Sequence, residues 1–258
     1  MSMRAGLAAC GAALVLVACA STAVHALRGP EPDAFHPEFA QQSALVTNEF
    51  AHRHPAGDGA VLSPDWIVTS GSLFARDSAG WTGVPDGADP DAQSGNGTGS
   101  AVFRAVSRRA DLGDTRVDFD LRVLGFVTTP RTPAQDWDGV HVFLRYQSDA
   151  ELYAVSVIRR DGTLAIKKKT PGGPINGGAY TTLAEGQSPS LAGTAVHVTA
   201  TVRTMSDGSV VLSAALDGAT VLRATDTGQG GPPIHKAGRV GLRGDNCEFA
   251  FRGFRAQH

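Results

Sequence analysis

The chain has 258 residues, of which 42% are hydrophobic, with 31 Gly and 14 Pro. That composition supports a substantial core and argues against long helices. The formal charge of −2 carries no strong electrostatic message, and no basic run or basic helix argues for nucleic acid as a partner.

The first element in the chain is a targeting segment. Arg4 supplies a positive start, and Ala5 to Ala18 form an uncharged apolar stretch too short to span a bilayer as a helix. Residues 1–26 are therefore read as a signal peptide. Two cleavage points compete. Leu16-Val17-Ala18-Cys19 fits the small-residue-then-Cys box of bacterial lipoproteins, which makes Cys19 a lipidation candidate, whereas Val24-His25-Ala26 fits ordinary signal peptidase. Either way the expected location is extracellular or at the cell surface, with membrane attachment only through a lipid on Cys19. After cleavage Cys247 is the one thiol of the folded body, so no intramolecular disulfide is expected and stability must come from the core. Cys247 itself lies in an alternating run and reads as a buried, inert residue.

Residues 27–43, including "RGPEPDAFHPEFAQQ", carry three prolines and little periodicity, as a linker would. From Ala44 to His258 the chain is a succession of short runs with period-two alternation, separated by Gly, Asp, Asn and Pro. Asp161-Gly162, Asp207-Gly208 and Asp217-Gly218 each sit between two such runs, the strongest short hairpin signal, because both residues tolerate positive φ. The prediction is an all-β, antiparallel two-sheet sandwich in one domain, 44–258, expected as a monomer. Two stretches read as long loops: Asp77 to Gly99, which holds a glycosylation-like sequon at Asn96, and Thr170 to Gly178.

Alternation also sorts residues by face. In "DWDGVHVFLRYQ", Val140, Val142, Leu144 and Tyr146 share one side, and His141, Phe143, Arg145 and Gln147 share the other. In "RVDFDLRV" Asp118, Asp120 and Arg122 face outward, as do Lys167 and Lys169 in "LAIKKK". Ion pairs of Asp118 or Asp120 with Arg145 or Lys167 are a plain structural reading of that charge. Phe143 between His141 and Arg145 adds a functional one. An aromatic ring flanked by hydrogen-bonding groups suits a sugar, which has apolar C–H faces and a polar rim. Trp137 and Trp81, in loops, are further stacking candidates, while Trp66 is assigned to the core.

The order "DWIVTSGSLFARDSAGWTG", "GTGSAVFRAV", "TRVDFDLRVLGF", "DGVHVFLRYQ…LYAVSVIRRDGTLAIKKK" and "AGRVGLRGDNCEFAFRGFRA" resembles the concanavalin A-like lectin and glucanase superfamily, in particular its laminin-G-like bacterial extracellular domains. The resemblance covers roughly Ala44 to His258. It implies a jelly roll whose bent sheet offers a concave groove, with strands from the chain's start and end as neighbours. It further implies carbohydrate binding through His141, Phe143, Arg145, Lys167, Trp137 and Trp81. A structural calcium held by Glu49 and by Asp245 or Asn246 follows from it as well. The superfamily also contains hydrolases and lyases, so a glycan-cleaving enzyme, or a protein-binding surface scaffold, stays open. The Glu-x-Asp-x-x-Glu motif of its retaining glucanases is missing. Arg145, His141, Tyr153 and Lys167 include residue types that a lyase uses, but in no recognisable lyase motif.

Overall fold

A computed structural model describes residues 34–87, 99–187 and 195–258. The segment read as a signal peptide, Cys19 and Asn96 lie outside the described residues. The elements run β1 (Ala44–Asn48), α1 (Glu49–Arg53), β2 (Trp66–Ser70), β3 (Ser72–Arg76), β4 (Ala79–Trp81), β5 (Pro85–Asp86), β6 (Gly99–Ser100), β7 (Val102–Ser107) and β8 (Thr115–Phe126). They continue with β9 (Gly139–Ser148), β10 (Glu151–Arg159), β11 (Thr163–Ile175), β12 (Gly178–Gln187) and β13 (Ala195–Thr204). β14 (Val210–Leu216), β15 (Ala219–Asp226), β16 (Arg239–Asp245) and β17 (Cys247–Gln257) complete the order.

Two antiparallel sheets account for nearly all of these. The eight-stranded sheet has the order β1-β3-β4-β17-β8-β13-β14-β15, and the seven-stranded sheet β12-β11-β10-β9-β16-β7-β2. Their inner faces meet in one core. Val117, Phe119 and Leu121 of β8 face Val140, Val142 and Leu144 of β9 in a single buried cluster, as alternation requires. Trp66 is buried with Phe35, Phe251 and Phe254, its ring 5.1 Å from that of Phe254 in an edge-on contact. Phe35, in the stretch assigned to the linker, exchanges backbone hydrogen bonds with Ala256. The first described residues thus meet the last strand at that bridge.

The hairpin signals hold at the backbone level. Asp217 and Gly218 have φ of 50° and 80°, the left-handed pair that matches the twist of β14 and β15. Thr170 to Gly178, in contrast, is not a long loop. β11 continues to Ile175 and turns at Asn176-Gly177 into β12, with an irregularity between Pro171 and Ile175. The expected pairing of Asp118 or Asp120 with Arg145 or Lys167 is also overturned. β8 belongs to the opposite sheet, where Arg116 forks Asp118 and His197 Nδ1 lies 2.8 Å from Asp120.

Candidate functional site

The seven-stranded sheet has an outer face that is not uniformly polar. Val106, Phe143, Tyr146, Leu152 and Ala154 form a small apolar cluster there, separate from the main core. Beside it, strand register places Ala154 between Phe143 and Lys167, and His141 between Ser156 and Arg243. The short side chains of Ala154 and Ser156 leave a depression of about 310 Å³, walled by Trp137, Arg159, Ile175 and Tyr180. A mostly apolar depression with a few fixed polar groups is the usual form of a small-ligand subsite.

Two β-bulges decide which side chains reach this cleft. In β10 the register slips between Ser156 and Ile158, so Val157 and Ile158 both enter the core and Arg159 emerges on the cleft side. In β9 the register against β16 slips after Phe143, and Arg145 takes a left-handed backbone with φ 46°. Tyr146 thereby joins Phe143 on the outer face, the rings stacked at 5.8 Å and 18°. At the entrance to β9, Gly139 has φ 152°, and a Cβ there would lie 2.0 Å from the Ile158 carbonyl oxygen. The adjoining Trp137 loop is pinned by buried Asp138, which accepts hydrogen bonds from the Gln135 amide and from Asn246 Nδ2 and pairs with Arg160.

The polar floor is a connected chain. Arg243 grips Asp245 through Nε at 2.8 Å and Nη2 at 2.7 Å. His141 Nε2 lies 3.3 Å from Asp245, and its Nδ1 lies 2.8 Å from Ser156 Oγ. Burial opposes ionisation of Asp245, but the charge and hydrogen bonds of Arg243, with that of His141, outweigh it and hold the carboxyl far below the usual range. Lys169, under the rim, has its pKa pushed down to about 8 by burial first, then by Arg243 and Arg104. Lys167 is shifted down by burial and by its neighbour Arg159.

Of the residues singled out by sequence, His141, Phe143, Lys167 and Trp137 come together at the cleft. Phe143 is only 1% exposed and forms floor, so Trp137, 52% exposed, is the ring available for stacking. Arg145 is elsewhere. Its guanidinium is turned to the interior, donating to the Ile234 and Gly113 carbonyls, Asp114 and Thr204. Trp81 is elsewhere too, on the eight-stranded sheet against Phe74 and Arg76, with its indole N–H on Glu248. Tyr153 is buried, donating to Asp226 at 2.6 Å. Sequence reasoning missed Ser156 and Arg243, although alternation in "LYAVSVIR" and "GRVGLRG" carried the signal. It also missed Arg159 and Tyr180.

The calcium expectation does not fit the residues present. β1 lies at the edge of the eight-stranded sheet and β16 inside the seven-stranded one, so Glu49 and Asp245 are not on neighbouring strands. Asp245 already has both oxygens on Arg243, and Glu49 pairs with Arg53. Among the described residues no group of three or more His, Cys, Asp or Glu is placed to hold a metal ion.

No family model matches the chain, and no curated protein does. Solved structures do. The carbohydrate-binding module CBM66 from Bacillus subtilis superposes with a TM-score of 0.50 at 13% identity, over 75% of this chain and 95% of that one. The potassium-bound Emp46p carbohydrate recognition domain superposes with a TM-score of 0.50 at 8% identity, over 74% and 87%. This is the concanavalin A-like lectin and glucanase fold. At such identities the likeness fixes the fold alone, and within that fold the cleft occupies the outer face of the seven-stranded sheet. Among the described residues no helix is long and apolar enough to cross a membrane.

Proposed function

We propose that this is an exported, non-catalytic carbohydrate-binding domain that takes a polysaccharide in the cleft on its seven-stranded sheet. The observation that carries this reading is the half-exposed Trp137 ring beside a floor of fixed hydrogen-bonding groups, His141, Ser156 and Asp245–Arg243. A pyranose needs both: a flat apolar surface for its C–H face and oriented polar groups for its hydroxyls. The similarity to carbohydrate-binding solved structures points the same way. Glycoside hydrolysis by paired carboxylates asks for two free acids, whereas Asp245, the one carboxylate lining the cleft among the described residues, is locked to Arg243.

The test is a glycan array with wild type and Trp137→Ala. Binding that drops about tenfold in the variant is expected, the scale of a lost stacking contact. New reducing ends, or absorbance from unsaturated uronates, would overturn the non-catalytic reading, and silence on every glycan would favour a protein partner. Export is tested separately by mass spectrometry of the native N-terminus, where a diacylglyceryl Cys19 marks the lipoprotein route and an unmodified Leu27 marks free secretion.

A further inference from the structure

Three consecutive lysines on β11 meet three different fates. Lys168 turns inward to Asp226 and to the carbonyls of Gly231 and Pro232. Lys169 donates to the Asp149 carbonyl and lies over the Tyr180 ring. Lys167, half-buried in the cleft wall, makes no hydrogen bond or ion pair among the described residues. Taking an ammonium partly out of water costs free energy that a partner normally offsets. Arg159 adds like-charge repulsion, as the downward shift of Lys167 reflects.

Arg159 carries a matching deficit. Its side chain is 9% exposed, Nη2 reaches Asp161 at 2.6 Å, and Nε is buried with no acceptor. Among the described residues the cleft is lined by three cations, Arg159, Lys167 and Arg243; Arg243 is paired with Asp245 and Arg159 with Asp161, which leaves the Lys167 ammonium without a contacting counter-ion, Asp161 and Glu185 acting on it only at longer range. A sugar hydroxyl can accept from Arg159 Nε but leaves the Lys167 charge unpaired. An anion answers both deficits at once.

We infer that the ligand is an acidic glycan whose anionic group, carboxylate or sulfate, is seated against Lys167 and Arg159 at the cleft wall. This rests on the carbohydrate-binding reading above and narrows it to a charge class. Guanidinium and ammonium side by side fit either oxyanion, so the test separates the two.

The full chain is titrated with polygalacturonate, its methyl-esterified form, a sulfated galactan and a neutral galactan, in 50 mM and 500 mM NaCl. Binding to polygalacturonate or to the sulfated polymer, at least tenfold tighter than to the esterified and neutral ones and weakened several-fold by salt, is the expected result. Which acidic polymer binds identifies the oxyanion. Lys167→Gln should lose most of that preference while Lys167→Arg keeps it, with thermal melts showing that both are folded. Equal binding of esterified or neutral polymer, or an unchanged preference in folded Lys167→Gln, overturns the inference and leaves the carbohydrate-binding reading standing. No binding to any polymer, here or on the array, overturns both.

Discussion

Lys168 Nζ lies 2.9 Å from Asp226 Oδ1, and neither side chain has any exposure. The pair anchors a network. Asp226 also accepts the Tyr153 hydroxyl and the Gly228 amide, and Tyr153 Oη accepts the Ile234 amide. Lys168 holds the carbonyls of Gly231 and Pro232, and Arg145 holds that of Ile234. The Gly- and Pro-rich connection from β15 to β16 is thus fastened to the core by two interior cations.

Lys168→Met should cost about 3–5 kcal/mol, because Asp226 is left as a buried charge without its counter-ion. The double variant Lys168→Met/Asp226→Leu should be clearly less destabilised than the sum of the single changes. Urea denaturation of the four proteins reads this directly, and additivity would show that the pair is not coupled.

Arg145→Ala should act on stability rather than on glycan binding. It orphans the Ile234 and Gly113 carbonyls, at about 1–3 kcal/mol for each acceptor left dry. Trp137→Ala should do the reverse, since its ring is half exposed and supports little of the core. A thermal melt and a glycan titration on both variants check the pair of outcomes.

Lys169 sets a pH dependence. Its pKa is pushed down to about 8 in the fold from an ordinary value of 10.5. Above about 8 the folded protein sheds a proton that the unfolded chain retains until about 10.5, so this residue makes stability rise with pH across that window. Below it both states are protonated and the residue contributes no slope. Melting temperatures of wild type and Lys169→Met between pH 7.5 and 10 should diverge, with the rise attributable to Lys169 absent in the variant.

Cys247 should resist alkylation in the native state. It is 2% exposed, and burial, reinforced by the charges of Asp245 and Asp138, pushes its thiol strongly upward. Iodoacetamide at pH 8 should label it only after denaturation, as intact mass before and after urea would show.

Alternation read the faces of β9 correctly as far as Leu144: Val140, Val142 and Leu144 are core, while His141 and Phe143 line the cleft. It failed at Arg145 and Tyr146, because a non-glycine residue at positive φ leaves no compositional mark. The bulge in β10, equally without a mark in composition, hid Arg159, which strict alternation from Tyr153, Val155 and Val157 places in the core. Trp81 and the Asp118–Asp120 face were misplaced for another reason. Period-two patterning separates inside from outside but does not assign a strand to one sheet or the other. The partner of Lys168 lies 58 residues away, beyond any local pattern.

The two bulges give β9 and β10 a reading frame. Each strand is two segments in opposite phase, joined at one extra residue. Substitution along either segment leaves that phase intact, and so does removing the extra residue: with Arg145 deleted, Tyr146 would follow Leu144 directly and stay on the outer face, while the hydrogen bonds of Arg145 to Ile234, Gly113, Asp114 and Thr204 would be lost. Deleting Val157 would likewise let Ile158 follow Ser156 into the core and leave Arg159 on the cleft side. During sequence drift these strands can therefore lose one residue at a bulge without reversing a face, whereas a one-residue change elsewhere along them moves side chains to the wrong side. A homologue with a different cleft should differ at the lining positions by replacement, and a single-residue gap within β9 or β10 should fall at a bulge.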